Sequence, residues 1–146
     1  MKVLVAYESR GGHTRRAAEA VAYAIGAFGS EATLKPLKET TAEDVERSDA
    51  IAVGTWVEGF LVFRVGPAKG SLEGIGRLPA LTGKPAAVFC TYGLNPRGTL
   101  ATLGKSLKAK GAKVVAQNAS HRSHPERGAD ALAERICASC GGPNPR

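Results

Sequence analysis

Apolar positions along this chain alternate between two spacings. Residues 2–7, Lys-Val-Leu-Val-Ala-Tyr, form a short β-branched run ended by turn residues, which predicts a strand buried on both faces. Over residues 14–27, Ala17, Ala18, Val21, Ala24 and Ile25 recur at three-and-four spacing, which predicts a helix ended by Gly26 and Gly29. The same succession then repeats. Strands are predicted over 32–37, over 50–53 with Gly54 closing it, over 85–90 and over 113–116. Helices are predicted over 41–47, near 69–75, over 99–110 and over 125–138. Thr41 is the expected N-cap of the second helix, with Asp44 three residues on. Pro125 suits the first turn of the last helix, where its missing N–H would have had no partner.

Five strands alternating with helices predict an α/β fold: a three-layer αβα sandwich around a five-stranded parallel sheet. Such sheets bind ligands outside the carboxyl ends of their strands. The loops to weigh are therefore 8–13, 55–70 and 91–98. The 146 residues suit one domain, expected over 1–140, with the Gly- and Pro-rich 141–146 expected to be a disordered tail.

Composition narrows the picture. With 43% hydrophobic and 23% charged residues the chain is of ordinary globular type. No apolar run is long enough for a membrane span, and Glu8 breaks the first one too early for a signal peptide. A cytoplasmic protein is expected. Twenty Lys plus Arg against 13 Asp plus Glu give +7, which favours acidic partners or phosphate ligands. Aromatic residues at 5% leave few stacking platforms, so nucleic acid is not expected. Lys105, Lys108, Lys110 and Lys113 read as a solvated face. Three cysteines do not make a disulfide scaffold, which fits a reducing compartment.

The first loop carries the sharpest chemistry. Ser9-Arg10-Gly11-Gly12-His13-Thr14 joins a strand directly to a helix, whose unpaired N–H groups and positive dipole end suit a phosphate. The two glycines let the backbone curl into a nest of donors; Ser9 and Thr14 add hydroxyls and Arg10 adds charge. A dinucleotide fingerprint is absent here, since the glycines are adjacent. The run from Gly93 to Gly98 has Thr99 where a Walker lysine would stand, and Cys90 and Arg97 are one residue too far apart for a cysteine phosphatase loop.

With Thr55-Trp56 after the third strand and Thr91-Tyr92-Gly93 after the fourth, the sequence resembles the flavodoxin family over nearly its whole length. The resemblance implies strand order 2-1-3-4-5, non-covalent FMN and electron transport. It further implies that Ser9, Arg10, Gly11, Gly12, His13 and Thr14 bind phosphate. Thr55, Trp56, Val57, Thr91, Tyr92 and Gly93 would then enclose the ring, with Trp56 and Tyr92 on its two faces. Three departures stand out. Arg10 and Gly11 replace hydroxyl positions. Val57 stands where a glycine often allows a peptide flip, and a β-branched residue resists φ > 0. Flavodoxins are also typically acidic, whereas this chain is basic; positive surroundings favour an anionic reduced flavin. A less negative second potential and an acidic redox partner are expected.

Two other functions remain open: an NAD(P)H-dependent FMN reductase acting on a quinone-type acceptor, and a flavin-free interaction domain. The apolar run 60–65 is expected to be half buried, with monomer and homodimer both open. His121, His124, Cys137 and Cys140 could supply four zinc ligands. Twelve intervening helical residues would hold the pairs about 18 Å apart, so no shared site is expected. The cysteine pair reads as a helix end, with a redox switch as the sharper alternative.

Overall fold

A computed structural model describes residues 1–60, 63–96 and 98–140, with backbone alone over 58–60 and 63–65. Elements follow in the order β1 (Lys2–Tyr7), α1 (His13–Ala27), β2 (Glu31–Pro36), α2 (Ala42–Glu46), β3 (Ala50–Phe60), β4 (Phe63–Pro67), α3 (Lys69–Gly76), β5 (Pro85–Tyr92), α4 (Thr99–Ala109), β6 (Lys113–His121) and α5 (Ala129–Ser139). A 3₁₀ turn, Leu37–Glu39, leads from β2 toward α2. Five strands pair in parallel in the order β2-β1-β3-β5-β6. That is the predicted topology, with β4 added as an antiparallel partner of β3.

Alternation along each strand sorts the side chains into two cores. Val3, Val5, Ala50, Ala52, Ala87 and Phe89 face α1 and α5, meeting Ala17, Val21, Ile25, Leu132 and Ile136. Leu4, Ala6, Ile51, Val53, Ala86 and Val88 face the other way, onto Val45, Ile75, Leu103 and Leu107. Both faces are covered, which is why these strands read as continuous apolar runs.

The helix ends are built from specific contacts. Thr41 caps α2 in a reciprocal pair: its hydroxyl accepts from the Asp44 N–H at 3.1 Å, and the Asp44 carboxylate accepts from the Thr41 N–H at 2.9 Å. Lys110 Nζ donates to the carbonyls of Gly76 and Leu78, both at 2.7 Å, and so closes the end of α3. At least this lysine of the basic cluster has a structural partner.

Four expectations need correction. The third strand does not close at Gly54 but runs on to Phe60. Gly54 sits inside it because a Cβ there would overlap the Phe89 ring. Gly26 lies within α1, and Gly29, with φ 86°, is the residue that turns the chain out of it. The last predicted strand extends from Ala116 to His121. The last helix starts at Ala129, not at Pro125. Side chains of β6 take the carbonyls there: Ser120 Oγ donates to Pro125 O at 3.0 Å, and Asn118 Nδ2 donates to Arg127 O at 2.8 Å. Residues 122–128 are thereby held as turns, and Gly128 (φ 87°) caps α5. The expected burial of run 60–65 and the expected tail 141–146 lie outside the described residues.

No helix among the described residues is long and apolar enough to cross a membrane.

Candidate functional site

At the carboxyl end of the sheet the loops after β1, β3, β5 and β6 surround a cleft of ≈ 360 Å³. Of the residues singled out in the sequence, Arg10, Gly11, His13, Thr14, Trp56, Val57, Thr91, Tyr92 and Gly93 line it. Three do not. Ser9 and Gly12 line a neighbouring cleft on the other side of the same loop. Thr55 is fully buried, and its hydroxyl accepts from Ser71 Oγ at 2.6 Å and from the Ala68 N–H at 3.2 Å.

Local sequence explains the placement of each wall. Gly12 holds φ 86° as the N-cap of α1, a conformation that an L side chain adopts only at a cost of about 1–2 kcal/mol. That turn opens α1, whose first N–H groups must find partners outside the helix. Of these, Arg15 N–H donates to Ser9 Oγ at 3.3 Å and Arg16 N–H to Gly12 O at 3.0 Å. The N–H groups of His13 and Thr14 have no partner among the described residues, as the first donors of a helix do without a ligand. His13 Nδ1 is likewise buried and unpartnered. Arg10, exposed on the loop, forms no ion pair among the described residues. The unpaired N–H groups at the start of α1 and the unpaired Arg10 side chain are donors for which a phosphate would supply acceptors.

The opposite wall is aromatic. Trp56 is not past a strand end: it is the last residue of β3 to pair in the parallel sheet, opposite Thr91 of β5. After it β3 leaves the sheet, with Val57 paired to Pro67 in the hairpin. Trp56 and Tyr92 are each half-buried, so part of each ring faces the cleft. Tyr92 is steadied by His121, whose ring meets it edge-on at 5.5 Å. His121 is itself engaged on both nitrogens, with Gly93 O at 2.8 Å and Ser123 Oγ at 2.6 Å. It positions the third loop. Among the described residues no cluster of His, Cys, Asp or Glu suits a metal ion.

Sequence reasoning missed one lining residue. Arg122 follows β6, lines the cleft, and lies 3.4 Å from where a Gly93 Cβ would stand. The rule that ligands sit beyond strand ends applies to the last strand as well. In the sequence the run from His121 to His124 reads as a metal motif.

The cysteines lie apart from this site. Cys90 is buried in β5, and burial pushes its thiol up to about 12. Cys140 is also raised, chiefly by burial. Neither has the lowered thiol pKa that marks a reactive cysteine.

Comparison with known proteins bears on the same segments. A family described as Flavodoxin domain matches residues 4–138. A flavodoxin of Aquifex aeolicus is 46% identical over 55 residues, covering 37% of this chain and 30% of that protein. An NAD(P)H dehydrogenase (quinone) of Gluconacetobacter diazotrophicus is 32% identical over 123 residues, covering 70% of this chain and 62% of that protein. Both alignments thus span less than two thirds of the relative's own length. Among solved structures, the two-electron reduced flavodoxin of Megasphaera elsdenii superposes with a TM-score of 0.76 at 22% identity, covering 90% of this chain and 98% of that one. Oxidised Flavodoxin 2 of Bacillus cereus gives 0.74 at 22% identity, covering 94% and 99%. At these identities the structural likeness speaks for the fold.

Proposed function

Because this chain belongs to the flavodoxin domain family, we propose that its cleft binds FMN and that the protein carries electrons to or from a redox partner. One observation carries the reading: a phosphate-type donor set and two half-exposed aromatic rings face a single cleft. The flavin, when bound, supplies the electron chemistry. Everything else is the task of the chain's own residues.

The N–H groups of His13 and Thr14, the His13 ring and the Arg10 guanidinium take the phosphate, over a backbone that Gly11 and Gly12 allow to curl. Ser9 acts at one remove, by fixing the Arg15 N–H. Trp56 and Tyr92 flank the ring, with Val57, Thr91 and Gly93 completing its pocket. Thr55 is a positioning residue. Its bonds to Ser71 and Ala68 pin the end of the sheet portion of β3 to the start of α3, and so set where Trp56 stands. Arg10 and Arg122 give the cleft a positive rim, which suits an acidic partner. Such a carrier works in the cytoplasm.

A second reading has its own support. The Gluconacetobacter relative is a nicotinamide-dependent quinone reductase by name. Rapid bleaching of bound FMN by NADPH or NADH alone would favour a reductase over a carrier.

Titration with FMN, followed by fluorescence of Trp56, the single tryptophan, tests the flavin site directly. Quenching should saturate at one FMN per chain and be lost in Gly12→Asp. No quenching at micromolar FMN would overturn the reading and leave a flavin-free interaction domain.

A further inference from the structure

Strand β6 is a free edge of the sheet, since it pairs with β5 alone. A cleft of ≈ 380 Å³ lies beside it, lined by residues 114–118 in unbroken succession. Side chains of a strand point alternately to its two faces. A cleft that touches five consecutive residues therefore follows the edge of the strand and not one of its faces. Its sides come from the two helical layers. Lys108 of α4 stands on one, and Gly128, Ala131 and Arg135, at the cap and along α5, form the other. The result is a trough between two helices, with the edge of β6 as its floor.

That floor is unpaired. Over residues 114–119 the backbone N–H and C=O groups turned away from β5 have no partner among the described residues. Such a row is what an added strand pairs with. Gly128 and Ala131 put little side chain into the trough. Val115 is an extra residue between the paired Val114 and Ala116, a bulge that leaves 116–119 as the regular stretch for a short guest strand.

Charge decides what can lie there. Lys108 and Arg135 are exposed on the two sides, and neither has an ion-pair partner among the described residues. No carboxylate is among the residues that line the cleft. A second copy of the chain is a poor occupant, because its β6 would bring the same two cations against these, at a net charge of +7 on each chain. We propose that the edge of β6 docks an extended acidic segment of a partner protein. The segment adds to the sheet as a further strand between α4 and α5, with its carboxylates on Lys108 and Arg135. This trough and the flavin cleft have no lining residue in common, so the inference stands whether or not FMN binds.

The probe is a synthetic ten-residue peptide alternating glutamate and valine, titrated into the full chain at low salt, with and without FMN. Fluorescence anisotropy gives its affinity and amide hydrogen exchange its position. Two comparison peptides separate the causes: one N-methylated throughout, which keeps the charges but cannot donate to a strand, and one with lysine in place of glutamate. The acidic peptide should bind best and slow amide exchange within residues 116–119. Lys108→Ala and Arg135→Ala should each weaken it by about fivefold, while FMN affinity and thermal midpoint stay unchanged. Equal binding of the N-methylated peptide would reduce the trough to a general anion patch and overturn the proposal. Equal binding of the lysine peptide would overturn it by removing the role of charge. Displacement of the peptide by FMN would place it in the flavin cleft, with the same consequence. So would absence of binding at millimolar peptide, or binding indifferent to both substitutions. A dimer of the chain alone that protects the β6 amides would put a second copy on the edge, and would overturn it too.

Discussion

The hydroxyl oxygens of Thr14 and Thr91 lie 2.8 Å apart in a buried contact between residues 77 positions apart in sequence. One belongs to the first turn of α1 and the other to β5, so the bond ties the proposed phosphate wall to the ring wall. Thr14 is 1% exposed and Thr91 2%, so water cannot replace either partner. Thr91→Val should therefore destabilise the fold by about 1–3 kcal/mol, the cost of a buried hydroxyl left unpaired. Thr14→Val together with Thr91→Val should cost less than the sum of the single changes, because the double variant leaves no orphan. Urea denaturation of the four proteins checks this; strict additivity would mean that the contact carries no coupling.

Two glycines should separate fold from site. A methyl group at Gly54 would overlap the Phe89 ring, which is 1% exposed and cannot swing out. Gly54→Ala should thus lower stability by about 1–3 kcal/mol through overpacking. At Gly12 there is open space, but φ is 86°. Gly12→Ala should cost about 1–2 kcal/mol in strain, and it should weaken FMN far more than Gly54→Ala does. Thermal melts and FMN titrations on both variants give the comparison; equal FMN affinities would remove Gly12 from the phosphate nest.

How much of this was legible beforehand depended on whether one element or two decided the outcome. The strands and helices that bury a whole face, such as Val3 to Ala6 and Ala17 to Ile25, announce themselves by spacing alone. Gly54 was misread as a stop because its meaning lies in Phe89, thirty-five positions away. Pro125 was misread as a helix start because Ser120 and Asn118 hold the following turn. In the site, residues on the loops after β1, β3 and β5 were found through strand ends, whereas Arg122 required following the same rule past β6. Thr55 was placed correctly in the chain but not in space: its hydroxyl belongs to Ser71 and Ala68, contacts that no local pattern signals.

Acid should expose the role of Asp44. Its carboxylate sits 2.8 Å from Lys35 Nζ and accepts from the Thr41 N–H, and these contacts, Lys35 foremost, hold its pKa down to about 2 against an ordinary 3.8. A carboxylate with a lowered folded pKa contributes stability that is fully present above the unfolded value. That contribution is lost as pH falls from about 4 toward 2. Asp44→Asn should flatten the pH dependence of stability across that window and leave it unchanged at higher pH. Chemical denaturation at several pH values would show it. An unaltered acid slope would assign the ion pair no part in stability.

Arg122 offers a local test of why a basic chain should favour reduced flavin. A unit charge about 10 Å from a developing negative charge, at an effective dielectric of about 20, contributes roughly 1.7 kcal/mol. Arg122 is exposed, and screening trims this figure, so the expected effect is somewhat below tenfold in affinity. Arg122→Gln should lower the affinity for fully reduced FMN relative to oxidised FMN and make the second reduction potential more negative. Lys113→Gln is the control, since it removes the same charge from the far end of β6. Spectroelectrochemical titration at low and at high salt separates the two causes. A shift in Arg122→Gln alone, persisting in salt, assigns the effect to the cleft. Equal shifts in both variants that vanish in salt would assign it to the net charge of +7 and leave Arg122 without a special role.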